Sequence, residues 1–143
     1  MATMQIIYWS ASGNTEAMAL AIAEGAKSAG AAVEVKQVAE ATVDDALQCD
    51  LLALGCPAMG DEVLEESEFD PFFTQLEPGL GGKKTALFGS YGWGDGQWMR
   101  DWQDRVDQAG AQLFRGEGLI FNDAPDDSGL QRCRDFGAEF AAQ

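Results

Sequence analysis

Histidine is absent from all 143 residues. Mechanisms that need a histidine base, a histidine metal ligand or a serine–histidine pair are closed to this chain. Cations are scarce as well: nine Lys and Arg stand against 24 Asp and Glu, a formal net charge of −15. Such a surface repels nucleic acid and anionic membrane, both polyanions. It favours a basic protein partner. Cysteine is limited to Cys49, Cys56 and Cys133, widely separated. An odd, dispersed set makes neither a disulfide framework nor a paired zinc site, and it suits reduced thiols in the cytoplasm. No apolar run reaches the length of a membrane span. Met1-Ala2-Thr3-Met4 has neither a basic nor an apolar region, so no signal peptide is expected. No repeat, linker or low-complexity stretch divides the chain, and its length predicts one domain over 1–143 with a single core.

What is present centres on Ile6 to Thr15. Ile6 to Trp9 is a short apolar run that reads as a buried strand. Ser10 to Thr15 follows, with four hydroxyl or amide side chains, one Gly and no charge. Met18, Ala21, Ile22, Gly25 and Ala26 then fall on one face at helical spacing. A strand thus ends, a polar loop turns, and a helix begins. Free N–H groups and a partial positive charge at a helix start suit a phosphate. Ser10, Ser12, Asn14 and Thr15 would add short donors, and Gly13 would let the backbone approach. Helix capping alone explains one such residue, not four in six positions. The loop matches neither G-x-x-x-x-G-K-[ST] nor G-x-G-x-x-G, which disfavours a P-loop NTPase and a dinucleotide site.

The rest of the chain alternates. A half-exposed strand is expected at Ala32–Val38, from its alternation, and apolar strands at Leu51–Gly55 and Thr85–Gly89. A last strand, Leu113-Phe114 with Leu119-Ile120-Phe121, is interrupted around Arg115-Gly116-Glu117. Helices are expected at 44–47, around Phe72 to Leu76, through Trp98, Trp102, Val106 and Ala109, and through Leu130, Cys133, Phe136 and Phe140. Five strands alternating with helices predict an α/β fold: a doubly wound parallel sheet covered by helices on both faces. Ligands of such sheets bind outside the carboxyl ends of the strands. That rule selects Ser10–Thr15, Cys56–Glu62 and Ser90–Gly96. The second loop carries Met59 beside Gly60. The third carries Trp93 between glycines. A planar ligand bearing a phosphate fits between a polar cradle, a Met face and a Trp face. No Lys or Arg lies near the first loop in sequence, so neutral dipoles would hold the phosphate.

Trp9-Ser10-Ala11-Ser12-Gly13-Asn14-Thr15-Glu16 resembles the FMN-phosphate loop of flavodoxins, T/S-x-T/S-G-N-T. Met59-Gly60-Asp61-Glu62 and Gly89-Ser90-Tyr91-Gly92-Trp93-Gly94-Asp95-Gly96 resemble the two isoalloxazine loops of the short-chain, clostridial-type members. The likeness runs from about Gln5 to Phe140. Pro57 departs from it, standing where close relatives often have a smaller polar residue. The resemblance implies strand order 2-1-3-4-5 and non-covalently bound FMN. Ser10, Ala11, Ser12, Gly13, Asn14 and Thr15 would hold the phosphate. Pro57, Ala58, Met59, Gly60, Asp61 and Glu62 would form the inner flavin loop, with Met59 against the ring and Glu62 accepting from N3–H. The Gly60 carbonyl would turn toward N5–H on one-electron reduction. Ser90, Tyr91, Gly92, Trp93, Gly94 and Asp95 would form the outer loop, with Trp93 stacked, and Asn122 would close the edge.

The implied function is a low-potential one-electron carrier, a monomer shuttling between semiquinone and hydroquinone without substrate turnover, catalytic residue or metal. Each carboxylate about 12 Å from a reduced, anionic flavin costs roughly 0.3 kcal/mol in water-like dielectric. About six of them would lower the potential by roughly 80 mV before screening. Asp61, Glu62, Glu65, Glu66, Glu68 and Asp70 crowd beside the second loop and would steer basic redox partners. The alternative on the same fold is an FMN-dependent quinone or nitro reductase, for which no nicotinamide motif is visible. A receiver domain would need an acidic pair after the first strand, where Trp9-Ser10 stands. A tyrosine-phosphatase loop would need an Arg after Cys56, and none occurs.

Overall fold

The computed structural model describes residues 2–143. The elements, in chain order, are β1 (Thr3–Tyr8), α1 (Asn14–Ser28), β2 (Ala32–Gln37), α2 (Val43–Gln48), β3 (Leu51–Gly55), α3 (Phe69–Leu76), β4 (Lys84–Tyr91), α4 (Gln97–Gln108), β5 (Gln112–Leu113), β6 (Leu119–Asn122) and α5 (Asp127–Ala141). The sheet is parallel throughout, in the order β2-β1-β3-β4-β5, with β6 also against β4. The central β1 pairs Ile6 with Val35 on one side and Ala53 on the other.

The fifth position in the sheet is filled by two short strands. β5 pairs Lys84 and Thr85 of β4, while β6 pairs Phe88 to Tyr91. Between them Phe114–Gly116 makes a 3-10 turn in which Arg115 and Gly116 both have positive φ, 63° and 72°. Two left-handed residues in a row cannot continue a ladder. The interruption expected around 115–117 thus has a backbone cause.

Alternation along β1 divides the core. Ile6 packs into a layer with Met18 and Ile22 of α1 and with Cys133, Phe136 and Phe140 of α5. Ile7 packs on the other face with Phe69, Phe73 and Leu76 of α3 and with Trp98, Trp102 and Val106 of α4. Phe69 and Phe73 meet the Trp102 ring edge-on at 5.4 and 5.9 Å, the arrangement that ring quadrupoles favour. The helix stripes foreseen from spacing are these buried faces. The crossing of α1 and α5 was not foreseen. A Cβ on Gly25 would lie 1.8 Å from the Arg134 carbonyl oxygen, and one on Gly137 2.0 Å from that of Ile22. Glycine is what lets the two backbones touch.

Candidate functional site

The carboxyl ends of β1, β3, β4 and β6 deliver four loops to one end of the sheet. The first loop is shaped by Ser10, whose Oγ accepts the N–H of Gly13 (3.2 Å) and of Glu16 (3.3 Å). Gly13, at φ 92°, starts α1 without a side-chain cap. The N–H groups of Ala11, Ser12, Asn14 and Thr15 have no hydrogen bond among the described residues. A helix start with open donors invites an anion.

Thr15 is fully buried, and its Oγ1 lies 3.1 Å from Ser90 Oγ. The Ser90 N–H also donates to it at 3.4 Å. Thr15 therefore ties the first loop to the third, a use the sequence did not reveal. Beyond β3, the Cys56 and Ala58 N–H groups donate to the Phe88 and Ser90 carbonyls, extending the β3–β4 seam. Met59 and Val63 then exchange N–H···O bonds of 2.8 and 2.9 Å across a tight turn. Gly60 and Glu62 take φ 50° and 57° in that turn. Glu62 Oε1 accepts the N–H groups of Asp95 (3.2 Å), Gly96 (3.1 Å) and Gln97 (3.3 Å). It caps α4 and binds the second loop to the third.

These loops enclose a cleft of about 300 Å³. Ser10, Ala11, Ser12, Asn14 and Thr15 line it from the first loop, Pro57, Ala58 and Met59 from the second, and Ser90, Tyr91 and Gly92 from the third. Gly13, Gly60, Asp61, Glu62, Trp93, Gly94, Asp95 and Asn122 do not line it. Trp93 stands beside it with 64% of its surface exposed. Asn122 donates from Nδ2 to the carbonyls of Tyr91 (3.3 Å) and Gly92 (3.4 Å), so it braces the third loop from behind. Its neighbour Asp123 is the wall residue that sequence reasoning missed. Asp123 takes φ 59°, and its N–H reaches the Tyr91 carbonyl at 2.7 Å. A single left-handed residue whose own side chain joins the wall leaves no mark in composition or spacing. No cation lines the cleft. The open N–H groups of the uncharged first loop fit the phosphate of FMN held by dipoles, and Asp123 is the one charged residue on the wall.

The acidic stretch beside the second loop is more structural than expected. Glu65 is buried. Burial pushes its carboxyl pKa up, but the Ser67 hydroxyl and the N–H groups of Phe69, Glu68 and Ser67 outweigh that and hold it below the usual range. It caps α3, as Glu62 caps α4. Asp70 pairs with Arg105 at 2.9 Å, and Glu68 accepts from Trp9 Nε1 at 3.2 Å. Of the six acids, Asp61 and Glu66 alone have no partner among the described residues. The three cysteines are buried and unlinked, and burial raises each thiol, Cys133 to about 12.

The flavodoxin family model matches residues 6–137. A flavodoxin of Clostridium beijerinckii is 49% identical over 96% of this chain and 99% of its own. A flavodoxin of Megasphaera elsdenii is 48% identical over 94% and 95%. The solution structure of two-electron reduced Megasphaera elsdenii flavodoxin superposes with a TM-score of 0.89 at 46% identity, covering 98% of this chain and 99% of that one. A doubly wound sheet in the order 2-1-3-4-5, an uncharged loop with open N–H groups at the head of α1, and relatives matched end to end place this chain in the flavodoxin family.

Proposed function

We propose that the cleft between Ser10–Thr15, Pro57–Met59 and Ser90–Gly92 seats FMN, with the phosphate on the first loop. As a flavodoxin family member the chain is an FMN-binding electron carrier rather than a substrate-turning enzyme, and it passes electrons to redox partners. FMN, when bound, supplies the one-electron chemistry. The protein's own part is to bind, orient and shield. The N–H groups of Ala11, Ser12, Asn14 and Thr15 hold the phosphate, with the Ser10, Ser12 and Asn14 side chains beside them. Met59 covers the inner side of the ring and Trp93 the outer. Trp93, Val63 and Leu20 are the only large hydrophobics strongly exposed among the described residues. A tryptophan left in solvent at the rim of a cleft is one that a flat ligand would cover. Gly60, Asp61 and Glu62 border the ring on one side, Gly94 and Asp95 on the other. Asn122 acts by holding Tyr91 and Gly92 in place.

The finer reading is a low-potential, monomeric carrier of one domain, at home in a reducing compartment such as the cytoplasm, docking on basic partner surfaces. The net charge of −15, the small number of large hydrophobics strongly exposed among the described residues and the three buried, unlinked thiols support it. A single observation carries the cofactor placement: four open N–H groups at the start of α1 on a cleft without a cation. Titration of FMN and riboflavin into the FMN-free protein tests it. FMN should bind far more tightly, and Ser12→Ala should cost FMN about 1–3 kcal/mol while barely moving riboflavin. Equal affinities of the two flavins would move the phosphate elsewhere.

A further inference from the structure

Of the nine cationic side chains, Arg100, Arg115 and Arg132 line a single cavity of about 390 Å³. It lies at the outer edge of the sheet, between α4 and α5 beside β6. Met99, Leu119 and Phe136 contribute apolar surface, and Glu117 is the one acid on its wall. In a chain of net charge −15, a third of all cations facing one hollow is a local reversal of sign.

The three guanidinium groups are not equally engaged. Arg100 is held by Asp95 and Gln97, with bonds of 2.8 to 3.3 Å. Arg115 lies over the rings of Phe114 and Phe136, 5.3 and 5.2 Å from their centres, and among the described residues only its Nη2 has a polar partner, the half-exposed Glu139. Arg132 lies 5.0 Å over the Phe121 ring and has no hydrogen bond or ion pair among the described residues. A ring under the guanidinium plane restrains it while leaving its N–H edge open. Arg115 also has φ 63°, a conformation that costs any residue with a Cβ. The break between β5 and β6 thus presents Arg115 to the cavity.

We propose that this cavity binds a small organic oxyanion, a carboxylate or a phosphate ester on an apolar body, gripped by Arg115 and Arg132. The apolar body rests on Met99, Leu119 and Phe136, and the oxyanion takes the open N–H edges. Arg100 adds charge without a free fork. The overall negative charge opposes an anion, but at physiological salt charges beyond about 8 Å are screened, so the contact guanidiniums decide.

The test uses the FMN-loaded protein, so that the phosphate cradle is filled. Phthalate and phenyl phosphate are titrated separately, and the amide signals of Gly118, Leu119 and Ile120 are followed by NMR. At least one probe should saturate, and the tighter one identifies the oxyanion as carboxylate or phosphate. Arg132→Gln and Arg115→Gln should each weaken it about tenfold or more. Arg132→Lys, which keeps the charge and loses the fork, should weaken it too. Arg134→Gln removes the same charge two residues along α5, outside the cavity, and should leave binding nearly unchanged. Arg132 has no polar partner to lose among the described residues, so its variants should stay folded. Absence of saturation by both probes overturns the proposal. So does an Arg134→Gln effect as large as that of Arg132→Gln, which would mark attraction by general charge.

Discussion

One carboxylate oxygen, Glu62 Oε1, accepts three consecutive backbone N–H groups, those of Asp95, Gly96 and Gln97. A negative charge at a helix start satisfies orphan donors and meets the positive end of the helix dipole. Glu62 takes φ 57° to reach them, so the turn after Met59 is strained to serve α4. Glu62→Ala should lower the stability of the FMN-free protein by about 1–2 kcal/mol. Glu62→Gln should cost less, because the amide oxygen still accepts. Urea denaturation of the three FMN-free proteins decides it, and an unchanged midpoint in the alanine variant would reduce Glu62 to a bystander. A purely cofactor-facing Glu62 would show its effect only once FMN is added.

At the scale of elements, two devices set the frame of the cleft. Gly25 and Gly137 let α1 and α5 approach until backbone meets backbone. Gly137→Ala gains helix propensity but forces the helices apart, and overpacking of this kind costs about 1–3 kcal/mol or more. A lower melting temperature is the expected result, and an increase would mean that the helices slide without penalty. The second device is the Glu65 cap on α3. Its carboxyl pKa lies below the ordinary value in the folded chain. The stabilisation it gives is complete above the ordinary glutamate range and is lost as pH falls through that range toward the folded value. Glu65→Gln should therefore be less stable than wild type at neutral pH, and the gap should narrow between about pH 5 and pH 3. Denaturation midpoints across that span measure it; a constant gap would mean that charge has no part in the cap.

For the whole molecule the governing quantity is the charge of −15. The pairs of Arg105 with Asp70 and Glu77 are already counted in that sum and leave it unchanged. A field of this sign steers cations in and turns anions away, and salt erases both effects beyond a Debye length of about 10 Å at 0.1 M. Electron transfer from the reduced, FMN-loaded protein to a small cationic acceptor should therefore slow as salt rises. Transfer to an anionic acceptor of similar potential should speed up. Stopped-flow rates over a salt series give both slopes, and slopes of one sign would show that the field does not reach the site of exchange.

Periodicity and composition settled the architecture. The runs Ile6–Trp9, Leu51–Gly55 and Thr85–Gly89 mark the three central strands because a strand buried on both faces must be apolar throughout. The stripes through Met18 and Ile22, and through Trp98, Trp102 and Val106, mark helix faces because a helix buries one side. The polar cluster Ser10–Thr15 was legible as a loop opening a helix with free donors because its parts are contiguous. Other features depended on residues far apart in the chain and were decided only by folding. Thr15 meets Ser90 because β1 and β4 flank β3 and end together. Glu62 reaches α4, Asn122 braces Tyr91 and Gly92, and Asp123 replaces Asn122 on the wall through left-handed turns that carry no sequence period. Local physics is written along the chain. The partner of a hydrogen bond across loops is a property of the sheet that brings those loops together.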